Sequence, residues 1–278
     1  MTTTLSPTLN ERILLFGAPG TGKTTSALSM YRAARELTPD AKLIVINTDG
    51  AGTMQRMLSG KWRGLARGVE ILDVFEYEDW APAVAHALSI VKPGCVLLID
   101  NIGDLWDHAQ DYYDRQTYGP SAGDYWLEQQ VKITKQNIKN PGVKLDDPTR
   151  NDWRDWGIVK RLYFEIFTRI YARTRCHLLC TSGIRDLRLD GMFADKPTER
   201  AVFGGLGAMP MGHKSLGHRF DTVLATYEKG GAWWIYAVKD RERKLLRDVR
   251  VRSFAADYLQ AVGGWVKPGQ MEMGDDDV

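Results

Sequence analysis

The chain has 278 residues and 31.4 kDa, enough for one large α/β domain or nearly two of ordinary size. Hydrophobic residues make up 44% and charged residues 26%, which excludes extensive disorder. The net charge of +2 leaves a polyanionic partner open; the last eight residues, MEMGDDDV, carry four carboxylates, so the rest is a mildly basic body at +6, not a basic arm.

After a polar leader over 1–10, ERILLF (11–16) reads as a buried strand ending at a Gly-rich turn. Residues 23–37 carry apolar or small side chains at helical spacing (Ala27, Met30, Tyr31, Ala34, Leu37), and Pro39 closes that helix. KLIVIN (42–47) and VEILDVF (69–75) are the next strands. A helix follows over 78–91 with Asp79 as its N-cap, and CVLLID (95–100) is a fourth strand. Strands separated by helices of this length predict parallel pairing with helices on both faces.

Residues 101–152 read as an excursion, with one helix around 124–139 and then a loop. A long amphipathic helix from Trp153 to Arg175 feeds CHLLCTS (176–182), a fifth strand. Residues 183–219, rich in Gly, Met, Arg and His without a long apolar run, read as a mobile loop. FDTVLATYEK and AWWIYAVKD, either side of Lys229-Gly230-Gly231, form a hairpin signal. The expected fold is α/β: one domain over 11–262 with a mostly parallel sheet and a late antiparallel hairpin, then an acidic tail at 263–278.

Three cysteines, Cys95, Cys176 and Cys180, make no disulfide framework and fit a reducing compartment. Strand alternation puts Cys176 and Cys180 on one face and His177 on the other, a buried-core arrangement and not a metal site. With no signal-peptide pattern and no apolar run of membrane-spanning length, the expectation is a cytoplasmic protein with no membrane partner.

GAPGTGKT fits G-x-x-x-x-G-K-[ST], the phosphate-binding P-loop, between a predicted strand and a predicted helix. Gly17, Ala18, Pro19, Gly20, Thr21, Gly22, Lys23 and Thr24, with Thr25 behind them, form the candidate nucleotide-binding set. Backbone N–H groups wrap the phosphates, so side chains are removed at Gly17, Gly20 and Gly22. Lys23 reaches the β- and γ-phosphates, and the Thr24 hydroxyl ligates Mg²⁺. Asp100, closing the strand VLLID, is the candidate to hold Mg²⁺ through water. Asp49, after the second strand, is expected next to the P-loop strand or one strand away; it is a candidate general base or a turn residue before Gly50. Thr181 and Ser182 are candidate γ-phosphate sensors or plain turn residues. Lys239 and Arg241 share one side of an extended segment; in a monomer they form a solvated basic edge, and in a ring or filament they suit a cationic finger reaching a neighbouring subunit's γ-phosphate.

GAPGTGKT, IVINTDG, VLLIDN, HLLCTS and WWIYAVKDR, in that order, resemble the RecA-like ATPase core shared by RecA, DnaB-type helicases and KaiC. More narrowly, with DWRDWGIVKRLYFEIF, the chain resembles small phage-encoded RecA-like ATPases of single-strand annealing and recombination. The resemblance covers about residues 11–252. It implies an Mg-ATP hydrolase acting as a homo-oligomer, ring or filament, on single-stranded DNA in recombination, annealing or replication, with a single-strand DNA-binding protein as a further partner. The bacterial host cell is its implied location. It places a DNA-contacting loop at 203–214, otherwise a disordered surface loop, with Arg185, Arg188 and Lys214 flanking its Gly-rich part (203–212) as phosphate contacts. Two departures matter. Asn101 stands where AAA+ motors and many helicases carry Glu, and Asp49 stands where RecA-like proteins usually carry Glu, which puts fast hydrolysis in question. A nucleotide-gated scaffold that barely turns over ATP is therefore an alternative. A small-molecule kinase is another, although no Arg-rich lid or acceptor pocket is recognisable. No N-K-x-D follows a strand to mark a GTPase.

Overall fold

A computed structural model describes residues 10–50, 52–139, 153–190, 194–240, 249–251 and 254–262. Most of the leader, the segment 140–152, Arg241 and the acidic tail lie outside the described residues. Ten strands are described: β1 (Arg12–Gly17), β2 (Leu43–Asn47), β3 (Val69–Asp73), β4 (Val96–Asp100), β5 (His177–Ser182), β6 (Ile184–Asp186), β7 (Ala208–Pro210), β8 (Thr222–Lys229), β9 (Ala232–Asp240) and β10 (Val249–Arg250). The α-helices are α1 (Lys23–Leu37), α2 (Thr53–Ser59), α3 (Tyr77–Ile90), α4 (Asp104–Tyr118), α5 (Ala122–Lys139), α6 (Trp153–Arg173), α7 (Pro197–Phe203), α8 (Leu216–Arg219) and α9 (Phe254–Val262).

Eight strands form one sheet in the order β10-β9-β8-β1-β5-β4-β2-β3. From β8 to β3 every pairing is parallel, while β9 and β10 close the edge antiparallel. The alternation along the strands explains the two cores. Leu14, Phe16, Ile44, Ile46, Leu97 and Ile99 join the side covered by α3, α4 and α6. Ile13, Leu15, Leu43, Val45, Val96 and Leu98 join the side covered by α1, α2 and α9. Both faces are buried, so the central strands read as continuous apolar runs rather than alternating ones. Cys176 and Cys180 lie in the first core, as strand alternation predicts, and all three cysteines are buried and free.

Several expectations need correction. The helix after β3 is capped by Glu76, with Asp79 completing a capping box from its first turn, so Asp79 is not the N-cap. The excursion after residue 100 holds two helices. In α4, Leu105, Ala109 and Tyr113 are buried, whereas α5 buries only Ala122 among its described side chains.

The segment 183–219 is not one long loop. Among its described residues β6 pairs antiparallel with β7, α8 packs against β7 and α7 against β9. Phe203 is fully buried with its ring edge-to-face against Phe16 at 6.0 Å, and Met209 and Leu216 are buried as well. Elements of three to seven residues are too short for periodicity to reveal.

Candidate functional site

The carboxyl ends of β1, β4, β5 and β2 converge, and each delivers a polar residue there. Such ends of a parallel sheet are where ligands bind in open α/β folds. β1 runs into the P-loop at Gly17. A side chain at Gly17 would have its Cβ 2.2 Å from the Thr226 carbonyl oxygen of β8, so this glycine is demanded by packing against a neighbouring strand. Gly22 has φ +87° at the N-terminus of α1, a left-handed conformation that glycine adopts at little cost. The loop is braced from behind, since the Thr21 hydroxyl lies 2.9 Å from the Thr226 hydroxyl and donates to the Ala18 carbonyl at 2.8 Å.

Lys23 Nζ donates to the carbonyls of Gly17 at 2.8 Å and Ala18 at 2.9 Å, holding the ammonium against the loop. Burial lowers its pKa, and the Asp100 carboxylate partly restores it. Thr24, on the first turn of α1, donates from Oγ1 to Asp100 Oδ2 at 3.0 Å. Thr181 of β5 donates to the other oxygen, Asp100 Oδ1. Asp100 therefore sits at the end of β4 between two hydroxyls. Burial raises its pKa, the two hydrogen bonds pull it back down, and the Asp49 charge adds to the rise.

This donor set fits a magnesium ion carried on nucleotide phosphates. Mg²⁺ takes one or two protein oxygens and keeps waters and phosphate oxygens for the rest, which is what a hydroxyl and a carboxylate beside a P-loop offer. A nearby dication would also offset the burial that opposes charge on Asp100. Among the described residues no group of three or more His, Cys, Asp and Glu converges as an all-protein metal cage would.

Asp49 is exposed just after β2. Its strand lies beyond β5 and β4 from β1, farther than expected, yet its charge still reaches both Asp100 and Asp104. Asp104 is a residue the sequence reading missed. Thr48 Oγ1 donates to Asp104 Oδ2 at 2.5 Å, and the Asn101 amide donates to Asp104 Oδ1 at 3.0 Å. The Thr48 hydroxyl also accepts from the Asn101 backbone N–H at 2.8 Å, joining the ends of β2 and β4. Burial raises the Asp104 pKa, and the Thr48 hydrogen bond and His108 oppose the rise. The available signal was a carboxylate in the first helical turn directly after the strand VLLID.

The remaining predicted residues divide. Thr181 is spent on Asp100, and Ser182 Oγ is within donating distance of the Met211 carbonyl at 3.0 Å and the Gly183 carbonyl at 3.1 Å, the first of which fastens the segment after β7. Both act as internal ties. Lys239 Nζ donates to the carbonyls of His218 at 2.9 Å and Phe220 at 2.6 Å, so its charge is engaged within its own chain. Arg241 lies outside the described residues.

Arg185 forms a two-pronged ion pair with buried Asp195, at 2.9 and 2.7 Å, which draws the Asp195 pKa down to about 2. The guanidinium is thus engaged inside the fold, although about a quarter of the Arg185 side chain remains in solvent. Arg188 and Lys214 are exposed.

Fold and site together have the form of a P-loop NTPase core. Residues 13–119 match the family model for the ATPase family associated with various cellular activities (AAA), a stretch that runs from β1 through the P-loop and Asp100 to the end of α4. That similarity supports nucleotide binding and hydrolysis. No curated protein matches the chain. No helix among the described residues is long and apolar enough to cross a membrane.

Proposed function

We propose that the protein is an Mg-ATP hydrolase of the RecA-like type, working as a homo-oligomer on single-stranded DNA in recombination, annealing or replication. The observation that carries the hydrolase reading is the chain Thr24–Asp100–Thr181, which fixes a carboxylate beside the P-loop where a phosphate-borne Mg²⁺ needs it. That ion would neutralise charge developing on the transferred phosphoryl group, and Lys23 would meet the same charge from the other side. Asp49, whose charge reaches Asp100 and Asp104, and Asp104 itself are the candidates to orient an attacking water. The DNA reading draws on the sequence resemblance and on the exposed Arg188 and Lys214.

The scaffold reading draws on Asp49 standing where RecA-like proteins usually carry Glu, and on Asn101, which leaves no carboxylate directly after Asp100. Steady-state ATPase assays with and without single-stranded DNA separate the two. A hydrolase shows turnover that rises with DNA and is abolished by Lys23→Ala. Turnover unaffected by Lys23→Ala refutes the site assignment, and nucleotide binding without turnover favours the scaffold.

A further inference from the structure

Helix α5 rests on the body by one side only. Ala122 is buried, and the Trp126 ring meets Tyr118 of α4 edge-to-face at 4.8 Å. Trp126, Gln129, Ile133 and Asn137, all half-buried, mark that inner side. Roughly 120° around the helix, Leu127, Val131, Thr134 and Ile138 recur at i, i+4, i+7 and i+11 and form one straight stripe. Leu127 is 63% exposed, Val131 41% and Ile138 74%. A helix of a soluble protein normally turns such a stripe towards a core, and aligned exposed aliphatics differ from the singly scattered ones of an ordinary surface. We propose that the stripe is covered by the same stripe of a second copy of this chain, with the two α5 helices antiparallel about a two-fold axis.

The charges choose the occupant and its direction. The five charged residues of α5 all fall on one flank of the stripe. Asp124 and Glu128 stand in the first half of the helix, and Lys132, Lys135 and Lys139 in the second. The other flank carries Gln130 and Asn137, which are uncharged. In an antiparallel pair each flank meets its own counterpart with the ends exchanged, so the acidic half of one copy faces the basic half of the other. A parallel pair would set the charged flank against the uncharged one and leave the charges without partners.

The stripe also fixes the register. With Leu127 opposite Ile138 of the other copy and Val131 opposite Thr134, Glu128 lies beside Lys135 of the other copy, once on either side of the axis. The sequence of α5 is therefore complementary to itself, which is what a two-fold contact requires. Such a contact is closed, whereas a finger in trans needs a head-to-tail one, so this is a separate interface and rests on no part of the nucleotide reading. The helix has 18 residues and is about 27 Å long. A single helix pair of that length buries less than the roughly 800 Å² per partner of a standard stable interface, so the dimer is weak and forms at high protein concentration.

Cross-linking of the full chain with a short bismaleimide, at high protein concentration and without nucleotide, tests this. The three native cysteines are buried, so the wild type supplies the background. In Thr134→Cys the two introduced thiols lie only roughly 4.5 Å apart along the axis and should be joined. In Asp124→Cys they lie roughly 25 Å apart and should not. Adding Glu128→Lys or Lys135→Glu to Thr134→Cys, both at exposed positions, should cut the cross-linked yield at least roughly threefold, because like charges then face each other. Combining the two reversals should restore the yield. No cross-link through Thr134→Cys overturns the pairing, and an equal cross-link through Asp124→Cys overturns its direction. Charge reversals that change nothing, or that the double variant fails to rescue, overturn the register. ATP turnover is not the readout, so failure here leaves the nucleotide reading standing.

Discussion

Asp49 and Asp104 present the same chemistry with different support. Asp49 is exposed, while Asp104 is clamped by Thr48 and Asn101 and has its pKa raised by burial. A general base acts mainly in the transition state, so its loss lowers kcat and spares ATP affinity. We expect Asp49→Asn to lower kcat by roughly 10²-fold or more with little change in ATP binding. If Asp104→Asn produces that loss while Asp49→Asn does not, the base is Asp104.

A second prediction at this scale concerns pH. His177 is buried, its Nδ1 lies 3.4 Å from the Glu11 N–H that donates to it, and burial holds its pKa down at about 4. The folded value lies below the ordinary 6.5, so the unfolded chain takes up the proton first. The contribution is complete above about pH 6.5 and is lost as pH falls towards 4. Between pH 7 and pH 5 this amounts to about 2 kcal/mol. Urea unfolding should show His177→Gln losing less stability than the wild type over that interval. Comparing the two proteins isolates His177 from the raised carboxylates Asp100, Asp104 and Asp107, which act in the opposite direction. Parallel pH profiles would remove His177 as a cause.

Among the elements, the segment between β5 and β8 is tied at one point by a buried ion pair. Asp195 accepts from both Arg185 nitrogens and from the Arg188 N–H at 2.8 Å, so one carboxylate joins β6 to the start of the following turn. Removing the arginine strands a buried charge, which typically costs roughly 3–5 kcal/mol. Because Arg185 keeps about a quarter of its side chain in solvent, we expect Arg185→Ala to cost about 2–3 kcal/mol in urea unfolding. Unchanged stability would release Arg185 for the phosphate contact its sequence position suggested. The neighbouring tie, Lys239 on the carbonyls of His218 and Phe220, holds α8 to β9 by the same economy of one cation and several acceptors.

For the whole molecule, the sheet order sets which ends share a site and which edge faces outward. β9 and β10 form an outer edge beyond β8, and the chain leaves β9 at Asp240 one residue before Arg241. If Arg241 is the finger its sequence suggests, acting on a neighbouring subunit of the proposed oligomer, it contributes on the order of 10³ in rate. We expect Arg241→Ala to bind ATP yet hydrolyse it poorly. Mixing it with Lys23→Ala should recover part of the activity, because a mixed interface joins an intact P-loop to an intact finger. A mixture as inactive as its parents, with both variants still assembling, would place the finger within its own chain.

What the sequence determined by itself were features written within one short span of chain. The P-loop, the apolar strands ending at Gly17, Asn47 and Asp100, and the helix over 23–37 rest on local spacing, and α1 and β1 stand where the periodicity placed them. Burial on both faces made each central strand a continuous apolar run, so the parallel sheet was legible too. Tertiary structure decided everything that depends on partners distant in the chain. Thr181 reaches Asp100 across 81 residues, Thr48 reaches Asp104 across 56, and Thr226 forbids a side chain at Gly17 from a strand more than 200 residues away. The same holds for Arg185, whose guanidinium looks like a surface contact until Asp195 is folded beneath it. A cation in a sequence carries only its charge, and whether that charge is spent inside the protein or offered outside depends on what the fold packs against it.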